Sequence, residues 1–213
     1  MSLSSFKNVF ILSPHTDDGE LGAGGTISKL KELGANIHYF AFSTAEKSVP
    51  KEFKKNILKE EVFKATSILG IPEKNVHVYN YEVRKLNYSR QEILESLVKY
   101  REKIFPDLVL MPNLNDIHQD HSTIANEGLR AFKNTTVLGY ELIWNNLKFD
   151  TTSFVELEEY HVKNKIKALK EYRSQEKKEY FSNEFIYSLA KTRGVQFGVN
   201  FAEAFEVIRW KIK

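Results

Sequence analysis

The sequence contains no cysteine, which excludes disulfide bridges and any metal or redox centre built on thiolates. A metal site in this chain would therefore have to use histidine and carboxylate side chains. No apolar run approaches the roughly 18 residues that a membrane-spanning helix needs. The first residues, MSLSSFKN, show no basic region followed by an apolar core. We therefore expect no secretory signal, no membrane span and a cytoplasmic location.

A strong charge of either sign is also missing, because the formal net charge is only +3 over 213 residues. The basic residues are dispersed, so no nucleic-acid partner is expected. Lys and Glu alternate between positions 163 and 178, which is typical of a solvated helix face. No linker, internal repeat or low-complexity tract interrupts the chain. We predict a single domain over residues 1–213 and leave a homo-oligomer open.

Apolar patterning predicts strands that alternate with helices along most of the chain. This alternation favours an α/β fold, a three-layer α/β/α sandwich with a largely parallel, Rossmann-like sheet. The C-terminal segment is expected to cap this sandwich or to extend one sheet edge. The predicted strands cover 9–12, 36–42, 76–81, 107–112, 136–143, 153–157 and 204–210, and the predicted helices cover 26–33, 53–69, 89–105, 121–132, 158–172 and 182–192.

The first cluster of chemically capable side chains follows the first predicted strand. The apolar residues 9–12 are typical of a buried strand, and His15, Asp17 and Asp18 come directly after it. In an open α/β sheet, ligands bind beyond the carboxyl ends of the strands. Imidazole nitrogen and carboxylate oxygen are both common Zn²⁺ ligands. This stretch is therefore a candidate for part of a metal site.

A second cluster follows the apolar residues 108–112 and contains His118, Asp120 and His121. Two similar strand ends of one parallel sheet would bring the clusters together. One histidine and one aspartate of the first cluster, with one histidine of the second, would give the three protein ligands of a catalytic zinc. The other aspartate could then act as general base and the other histidine could stabilise an oxyanion. Asp120 could fix the tautomer of a histidine.

Each cluster alone has a simpler explanation. An Asp-Asp pair after a strand is usually part of a turn or a helix cap. The glycines at 22, 24 and 25 could form a phosphate-binding turn, but they lack the G-x-G-x-x-G spacing. The presence of both clusters at predicted strand ends is what favours the metal site.

These residues also carry a resemblance to a known family. Residues 15–26, HTDDGELGAGGT, are similar to the H-P-D-D-x-x-L-G-x-G-G-T signature of the PIG-L/LmbE-like zinc-dependent N-deacetylases, and residues 118–121, HQDH, are similar to its H-x-D-H motif. Weaker similarity extends over residues 61–70, 165–175 and 202–205. The resemblance implies hydrolysis of an N-acetyl group.

The resemblance also assigns roles to individual positions. It implies His15, Asp18 and His121 as Zn²⁺ ligands and Asp17 as general base. His118 would stabilise the tetrahedral intermediate or serve as general acid, oriented by Asp120. Fe²⁺, Co²⁺ or Mn²⁺ can occupy a site with such ligands, so zinc is a default.

Two positions depart from the family pattern. Thr16 stands where the signature has proline, which changes loop stiffness but removes no ligand. Leu58 stands where many members carry an arginine that contacts the substrate, so the substrate is not carried over from any one relative.

We therefore expect a metal-dependent hydrolase that removes an N-acetyl group from a small N-acetylated amino sugar or glycoconjugate. The alternatives are hydrolysis of another acylated molecule, such as a thiol conjugate or nucleotide-linked sugar, and a sugar- or nucleotide-binding protein without turnover. Three aromatic residues could stack on a sugar, but core packing is the favoured interpretation for Tyr140, Trp144 and Phe149. Three polar residues could bind a substrate, but a surface position is more typical of Arg173, Gln175 and Arg193.

Overall fold

A seven-stranded sheet organises residues 2–212, the part of the chain that the computed structural model describes. The strand order is β3-β2-β1-β4-β5-β7-β6. The first five strands run parallel, whereas β7 pairs antiparallel with both β5 and β6. The strands are β1 (Asn8–Ser13), β2 (Asn36–Ala41), β3 (Val76–Val78), β4 (Leu108–Pro112), β5 (Thr136–Tyr140), β6 (Ser153–Leu157) and β7 (Phe201–Arg209).

Helices cover both faces of the sheet, so the predicted three-layer sandwich is confirmed. Helices α1, α2, α5 and α6 contribute to one apolar cluster, and α3 and α4 contribute to a second cluster on the opposite face. The helices are α1 (Asp18–Glu32), α2 (Ile57–Ile68), α3 (Arg90–Ile104), α4 (Gln119–Ala131), α5 (Glu159–Leu169) and α6 (Asn183–Phe197). No helix within residues 2–212 combines the length and apolarity required to span a bilayer.

Strand β1 shows why the sheet is central. Successive side chains of a strand point to opposite faces, and here Val9 and Ile11 join one apolar cluster while Phe10 and Leu12 join the other. All four are fully buried. An unbroken apolar run is therefore the correct pattern for this central parallel strand.

The C-terminal segment extends the sheet instead of capping it. Strand β7 lies between β5 and β6, and its pairing begins at Phe201, before the predicted start at 204. The start of this strand is not visible in the sequence, because Ala202 and Glu203 are not typical strand formers. Both are buried, and the pairing of β7 with β6 and β5 decides the conformation.

Helix α1 begins at Asp18, eight residues before the start predicted from sequence. Glycine is a poor helix former, so the glycine-rich stretch favours a loop when judged by local propensity. Packing reverses this preference, because a Cβ at Gly22 would lie only 2.3 Å from Tyr140 and one at Gly24 would lie 2.7 Å from Lys165. The helix axis is interrupted at Ala23, whose φ and ψ of −143° and 17° are non-helical.

Glu203 of β7 closes the interruption of α1. Its carboxylate accepts hydrogen bonds from the N–H groups of Gly25 and Thr26, at 3.0 and 2.7 Å, and so caps the second half of the helix. Lys165 donates to the same carboxylate at 2.7 Å. Both side chains are buried. The expected solvated face between residues 163 and 178 is therefore wrong at Lys165, because this lysine turns inward to balance Glu203.

Candidate metal and catalytic site

The two predicted clusters meet at the carboxyl ends of β1 and β4. These strands are parallel neighbours, with Val9 opposite Leu108 and Ile11 opposite Leu110, so the segments that leave them lie side by side. Helix α1 starts just after the first cluster and α4 carries the second. The sheet order therefore brings together residues that are about a hundred positions apart in sequence, as the motif pattern predicted.

Three ligand-type atoms form a nearly equilateral triangle at this point. The Asp18 Oδ2 atom lies 3.1 Å from His15 Nδ1 and 3.2 Å from His121 Nε2. The two imidazole nitrogens are 3.2 Å apart. Tetrahedral coordination with zinc–ligand bonds of about 2.0–2.1 Å requires ligand atoms about 3.3 Å apart. The triangle therefore has the size needed to hold a small divalent cation.

Carboxylates behind the two histidines set which nitrogen faces the triangle. Asp120 Oδ2 lies 3.1 Å from His15 Nε2, and Asp116 Oδ2 lies 2.8 Å from His121 Nδ1. A carboxylate only accepts hydrogen bonds, so these two nitrogens carry the protons. The lone pairs of the opposite nitrogens then point at Asp18. This arrangement of carboxylate, histidine and metal is the usual way in which a ligating imidazole is oriented.

The charge balance of the triangle also fits a cation. Burial lowers the pKa of His15, but the carboxylates of Asp18 and Asp120 outweigh it and raise this pKa to about 9. Burial likewise lowers the pKa of His121, but Asp18 and Asp116 raise it to about 10. Burial disfavours the charged form of Asp18, yet both imidazoles hold the pKa of this carboxyl well below its usual value. The surrounding carboxylates therefore demand positive charge here, which a divalent ion or protons can provide.

His118 stands beside the triangle in a different hydrogen-bonding state. Together with His15 and His121 it forms a group whose ligand nitrogens lie within 4.8 Å of one another. Its Nδ1 accepts the backbone N–H of Asp120 at 3.2 Å, as the N-cap of α4. The proton of the neutral ring is therefore on Nε2. Burial and the two neighbouring imidazoles lower the pKa of His118 to about 4, so it is a neutral donor near pH 7.

Asp120 contacts a different histidine from the one expected. The resemblance implied that Asp120 orients His118. In the structure only the backbone N–H of Asp120 contacts His118, and its carboxylate contacts His15. Two more donors hold the carboxylate in place, namely the N–H groups of Arg84 at 2.6 Å and Leu86 at 3.2 Å. The position of Asp120 at the start of α4 turns its side chain toward β1, which explains the difference.

Asp17 is buried next to the triangle without being used by the helix that it precedes. It occupies the N-cap position of α1, yet its side chain makes no capping hydrogen bond. Burial and the adjacent charge of Asp18 raise the pKa of Asp17 above its ordinary value. We call this carboxylate uncommitted because it makes no capping hydrogen bond. A carboxylate of this kind with a raised pKa is suited to accept a proton near neutral pH.

A cavity of about 380 Å³ opens over these groups. Such a volume lies within the range of small-molecule sites. Its walls include the apolar Leu21, Leu58 and Trp144, and its polar walls include Arg84, Gln175 and Lys178. Of these polar groups, sequence analysis had considered only Gln175.

The other residues singled out from sequence are distributed as follows. Tyr140 is fully buried in the core and donates to the backbone carbonyl of Leu12 at 2.9 Å. Trp144 lines the cavity and stacks on Tyr180, with ring centroids 3.9 Å apart. Phe149 is not among the residues that line this cavity. Arg193 is tied to Glu141 in an ion pair.

Three residues of the site were not identified from the sequence, namely Asp116, Arg84 and Lys178. Asp116 is buried and bridges the second cluster, since its Oδ1 accepts the backbone N–H of His118 at 2.8 Å while its Oδ2 contacts the His121 ring. An acidic residue five positions before a candidate ligand was the available signal. Arg84 and Lys178 had no comparable signal, because neither is close in sequence to the two clusters.

Comparison with known proteins was made for both sequence and structure. The sequence profile of PIG-L, described as GlcNAc-PI de-N-acetylase, matches residues 10–132. Diacetylchitobiose deacetylase of Thermococcus kodakarensis is 31% identical over 134 residues, which are 59% of this chain and 49% of that protein. The chain thus matches about half the length of this relative. An uncharacterized deacetylase of Escherichia coli, YaiS, is 24% identical over 179 residues, 81% of this chain and 94% of that protein.

Solved structures share the fold at lower identity. N,N'-diacetylchitobiose deacetylase of Pyrococcus horikoshii superposes with a TM-score of 0.81 and 21% identity, covering 97% of this chain and 85% of that one. The 4-carboxy-2-hydroxymuconate hydratase GalB of Pseudomonas putida gives a TM-score of 0.78 and 19% identity, covering 97% and 98%. Because a hydratase shares this architecture, the fold alone does not define the reaction. The matched stretch from β1 to α4 contains both clusters and more than half of the chain, and the protein belongs to the PIG-L family.

Proposed function

We propose that this protein is a metal-dependent hydrolase that removes the N-acetyl group from an N-acetylated amino sugar or a related glycoconjugate. The observation that carries the proposal is the triangle of His15, Asp18 and His121 with an uncommitted carboxylate, Asp17, beside it in a cavity. The acetamido substrate class rests on the family and on the names of the two diacetylchitobiose deacetylases. Zinc is the default metal among the divalent ions that such ligands accept.

His15, Asp18 and His121 would hold the cation, while Asp116 and Asp120 keep the two imidazoles in the ligating tautomer. A bound divalent ion would supply Lewis-acid polarisation and make a nucleophilic oxygen available near neutral pH. Asp17 would accept the proton of the attacking water. The carboxyl group so formed is the acid from which the departing amine can take a proton, so that water and amide give acetate and amine.

His118 would stabilise the transition state as a neutral hydrogen-bond donor. Its Nδ1 is engaged by the helix cap, so only Nε2–H is free to face the developing oxyanion. The depressed pKa of His118, about 4, argues against a role as a cationic acid near pH 7. Loss of one such donor typically lowers kcat by about 10²–10³-fold.

The uncommitted carboxylate distinguishes an enzyme from a protein that binds a sugar without turnover. A closed structural metal site has no need for a buried carboxylate that neither caps its helix nor belongs to the ligand triangle. Asp17 also lines the same cavity as the triangle, where a substrate would contact it. These features favour turnover over simple binding.

The test is release of amine from a panel of N-acetylated sugars, with wild-type protein compared with Asp17→Asn and metal content measured for both. We expect Asp17→Asn to retain the metal and to lower kcat by about 10²–10⁴-fold, because only the general base is lost. If the wild-type protein binds metal yet releases amine from no member of the panel, the proposed deacetylation is wrong. Turnover of an acylated thiol or nucleotide sugar would instead select the alternative substrate.

A further inference from the structure

The direction of the Asp17 carboxylate depends on the backbone that carries it. Its side chain makes no capping hydrogen bond, and the positive charge of Lys178 attracts it without fixing its orientation. A general base must lie within hydrogen-bond reach of the proton that it removes. The peptide group that joins Thr16 to Asp17 is therefore the part of the chain that has to be held in place.

The side chain of Thr16 does not hold this peptide group. Thr16 is fully buried, yet its Oγ1 atom has no hydrogen-bond partner within residues 2–212. The family signature has proline at this position, and a proline ring would restrict the backbone in a way that threonine does not. The contacts that hold Thr16 are instead made by its carbonyl oxygen.

Two tyrosine hydroxyls reach the Thr16 carbonyl oxygen from distant segments of the chain. The Tyr39 Oη atom lies 2.9 Å from this oxygen, and the Tyr172 Oη atom lies 2.7 Å from it. A carbonyl oxygen only accepts hydrogen bonds, so the hydroxyls are the donors. Both tyrosines are fully buried, and hydrogen bonds in such surroundings are stronger than in water. They connect the loop of residues 14–17 to β2 and to the segment after α5.

The Glu20 carboxyl joins the two hydroxyls. Its Oε1 atom lies 3.0 Å from Tyr172 Oη, and its Oε2 atom contacts Tyr39 Oη. Glu20 is itself fully buried in the first turn of α1. The two tyrosines, this carboxyl and the Thr16 carbonyl therefore form a closed ring of hydrogen-bonding groups. Such a ring restricts the position of each member more than a single contact would.

Close packing fixes the ring of Tyr39. Tyr39 lies beside Ile11 in the register of β1 and β2. A Cβ at Gly19 would lie only 2.6 Å from the Tyr39 hydroxyl, so the glycine leaves the space through which this hydroxyl reaches Thr16. The hydroxyl also lies 2.9 Å from Ser13 Oγ at the end of β1. Little room is left for the tyrosine to move.

The segment that carries Tyr172 is attached to α2. The short helical turn Arg173–Gln175 follows Tyr172, whose carbonyl accepts the Gln175 N–H at 2.8 Å. Glu61 of α2 accepts the Ser174 N–H at 3.0 Å and the Ser174 hydroxyl at 2.6 Å. Glu61 and Ser174 are both buried. The hydroxyl of Tyr172 therefore extends from a backbone that is held in place.

We propose that Tyr39 and Tyr172 are positioning residues, which set the direction of the Asp17 carboxylate through the carbonyl group of Thr16. Neither tyrosine lines the cavity, so both act through the peptide group and not on the substrate. The inference rests on the proposed function, because it assigns a role in the reaction of the same site.

The ligand triangle has supports of its own. Asp120 contacts the outer nitrogen of His15, and Asp116 contacts the outer nitrogen of His121. These carboxylates are independent of the two tyrosine hydroxyls. Loss of a hydroxyl should therefore displace the base and leave the metal in place.

The experiment compares Tyr172→Phe with the wild-type protein in kcat, KM and metal content, on the N-acetylated sugar that the wild type hydrolyses best. Phenylalanine keeps the ring and removes only the hydroxyl. We expect kcat to fall about 10–100-fold, because a displacement of about 1 Å can cost about a hundredfold in rate. KM and metal content should stay at the wild-type values. Tyr39→Phe should change kcat in the same direction, and it replaces Tyr172→Phe if that variant does not fold.

Tyr140→Phe is the matched control. Tyr140 is also fully buried, and its hydroxyl donates to a backbone carbonyl at 2.9 Å, that of Leu12 in β1. The change therefore removes the same kind of hydrogen bond, but not from the peptide group that carries Asp17. We expect Tyr140→Phe to lose about as much thermal stability as Tyr172→Phe and to keep the wild-type kcat. This contrast separates positioning from a merely structural role.

Hydrogen exchange at the amides of residues 15–21 gives a readout that needs no substrate. Exchange reports local opening of the backbone, so it should be faster in Tyr172→Phe than in the wild-type protein. In Tyr140→Phe the exchange of these amides should equal that of the wild type.

A wild-type kcat in Tyr172→Phe would overturn the inference while leaving deacetylation intact. Equal losses of kcat in Tyr172→Phe and Tyr140→Phe, or loss of metal from Tyr172→Phe, would overturn it as well. If the wild-type protein hydrolyses no sugar although metal is bound, deacetylation is what fails, and hydrogen exchange then decides. Faster exchange confined to Tyr172→Phe would support the positioning of this loop, and unchanged exchange would exclude it.

Discussion

Two groups of buried ionisable side chains contact α1, one at its first residue and one at its interruption, and they differ in how their hydrogen-bonding capacity is filled. In the first group, Asp18 faces lone pairs of two imidazoles whose protons are used by carboxylates behind them. In the second group, Glu203 receives two backbone N–H groups and the ammonium of Lys165. The first group lacks positive charge, and the second is balanced by its own residues.

This difference indicates what each group is for. A buried carboxylate with a full set of donors needs nothing from solution, so Glu203 serves the fold by capping the second half of α1. Within residues 2–212, Asp18 Oδ2 receives only one backbone N–H, from His15 at 2.8 Å, so the carboxylate and the two imidazole lone pairs that face it are unfavourable neighbours unless protons or a cation fill the space between them. Composition alone does not separate the groups, because both consist of ordinary acidic and basic side chains. The directions of the donors and acceptors distinguish the two groups.

Asp18→Ala should give the largest effect, because it removes one corner of the triangle. We expect loss of bound metal and a fall in kcat/KM of at least about a thousandfold, since both Lewis-acid catalysis and charge stabilisation depend on the ion. His118→Ala is the matched comparison, since it should keep the metal while losing activity. Metal analysis of the two purified variants gives the answer, and loss of metal from His118→Ala would place His118 among the ligands.

Glu203→Ala should have its main effect on stability. It would leave the buried ammonium of Lys165 without a counter-charge, so the free energy of unfolding should fall by about 3–5 kcal/mol. Denaturant unfolding measures this, and metal content per folded molecule should stay at the wild-type level. The exposed pair between Glu52 and Lys177 provides the control, because solvent screens it and Glu52→Ala should leave the free energy of unfolding close to the wild-type value. A Glu203→Ala protein that is as stable as the wild type but unable to bind metal would contradict this expectation, because Glu203 would then serve the metal site and not the fold.

Metal removal should reveal a pH-dependent effect on stability. In the metal-free protein the folded-state pKa values of His15 and His121, about 9 and about 10, lie above the ordinary value of 6.5. Their protonation therefore contributes stability that is complete below pH 6.5 and is lost as the pH rises toward 9–10. Each of the two histidines should contribute a loss on the order of 1 kcal/mol per pH unit over this range.

Thermal unfolding between pH 6 and 9.5, with chelator and with excess metal, tests this expectation. The metal-loaded protein should show a flatter profile, because the ion takes the place of the protons between the same atoms. Parallel profiles for the two forms would mean that the ion binds somewhere other than at these histidines.

Much of the fold and of the site could be predicted from local patterns. The apolar run of β1 is buried on both faces, and its character depends only on residue types. The clusters at His15 and His118 were visible because they follow such runs directly. Helix α1 could not be placed from its glycines, since their helical conformation depends on Tyr140 and Lys165, which come from distant segments. The pairing of Asp120 with His15, and the role of Asp116, were hidden for the same reason.

Residue types and their order along the chain are sufficient to give the chemical groups available, two His/Asp clusters without any cysteine, and the succession of strands and helices that carries them. Tertiary structure decided which atoms meet. Parallel pairing of β1 with β4 brings Asp18 to the two imidazoles, and the attachment of residues 84–86 to Asp120 brings a guanidinium to the same cavity. Periodicity reports which face of an element is buried, whereas the direction of a lone pair depends on neighbours supplied by the rest of the fold.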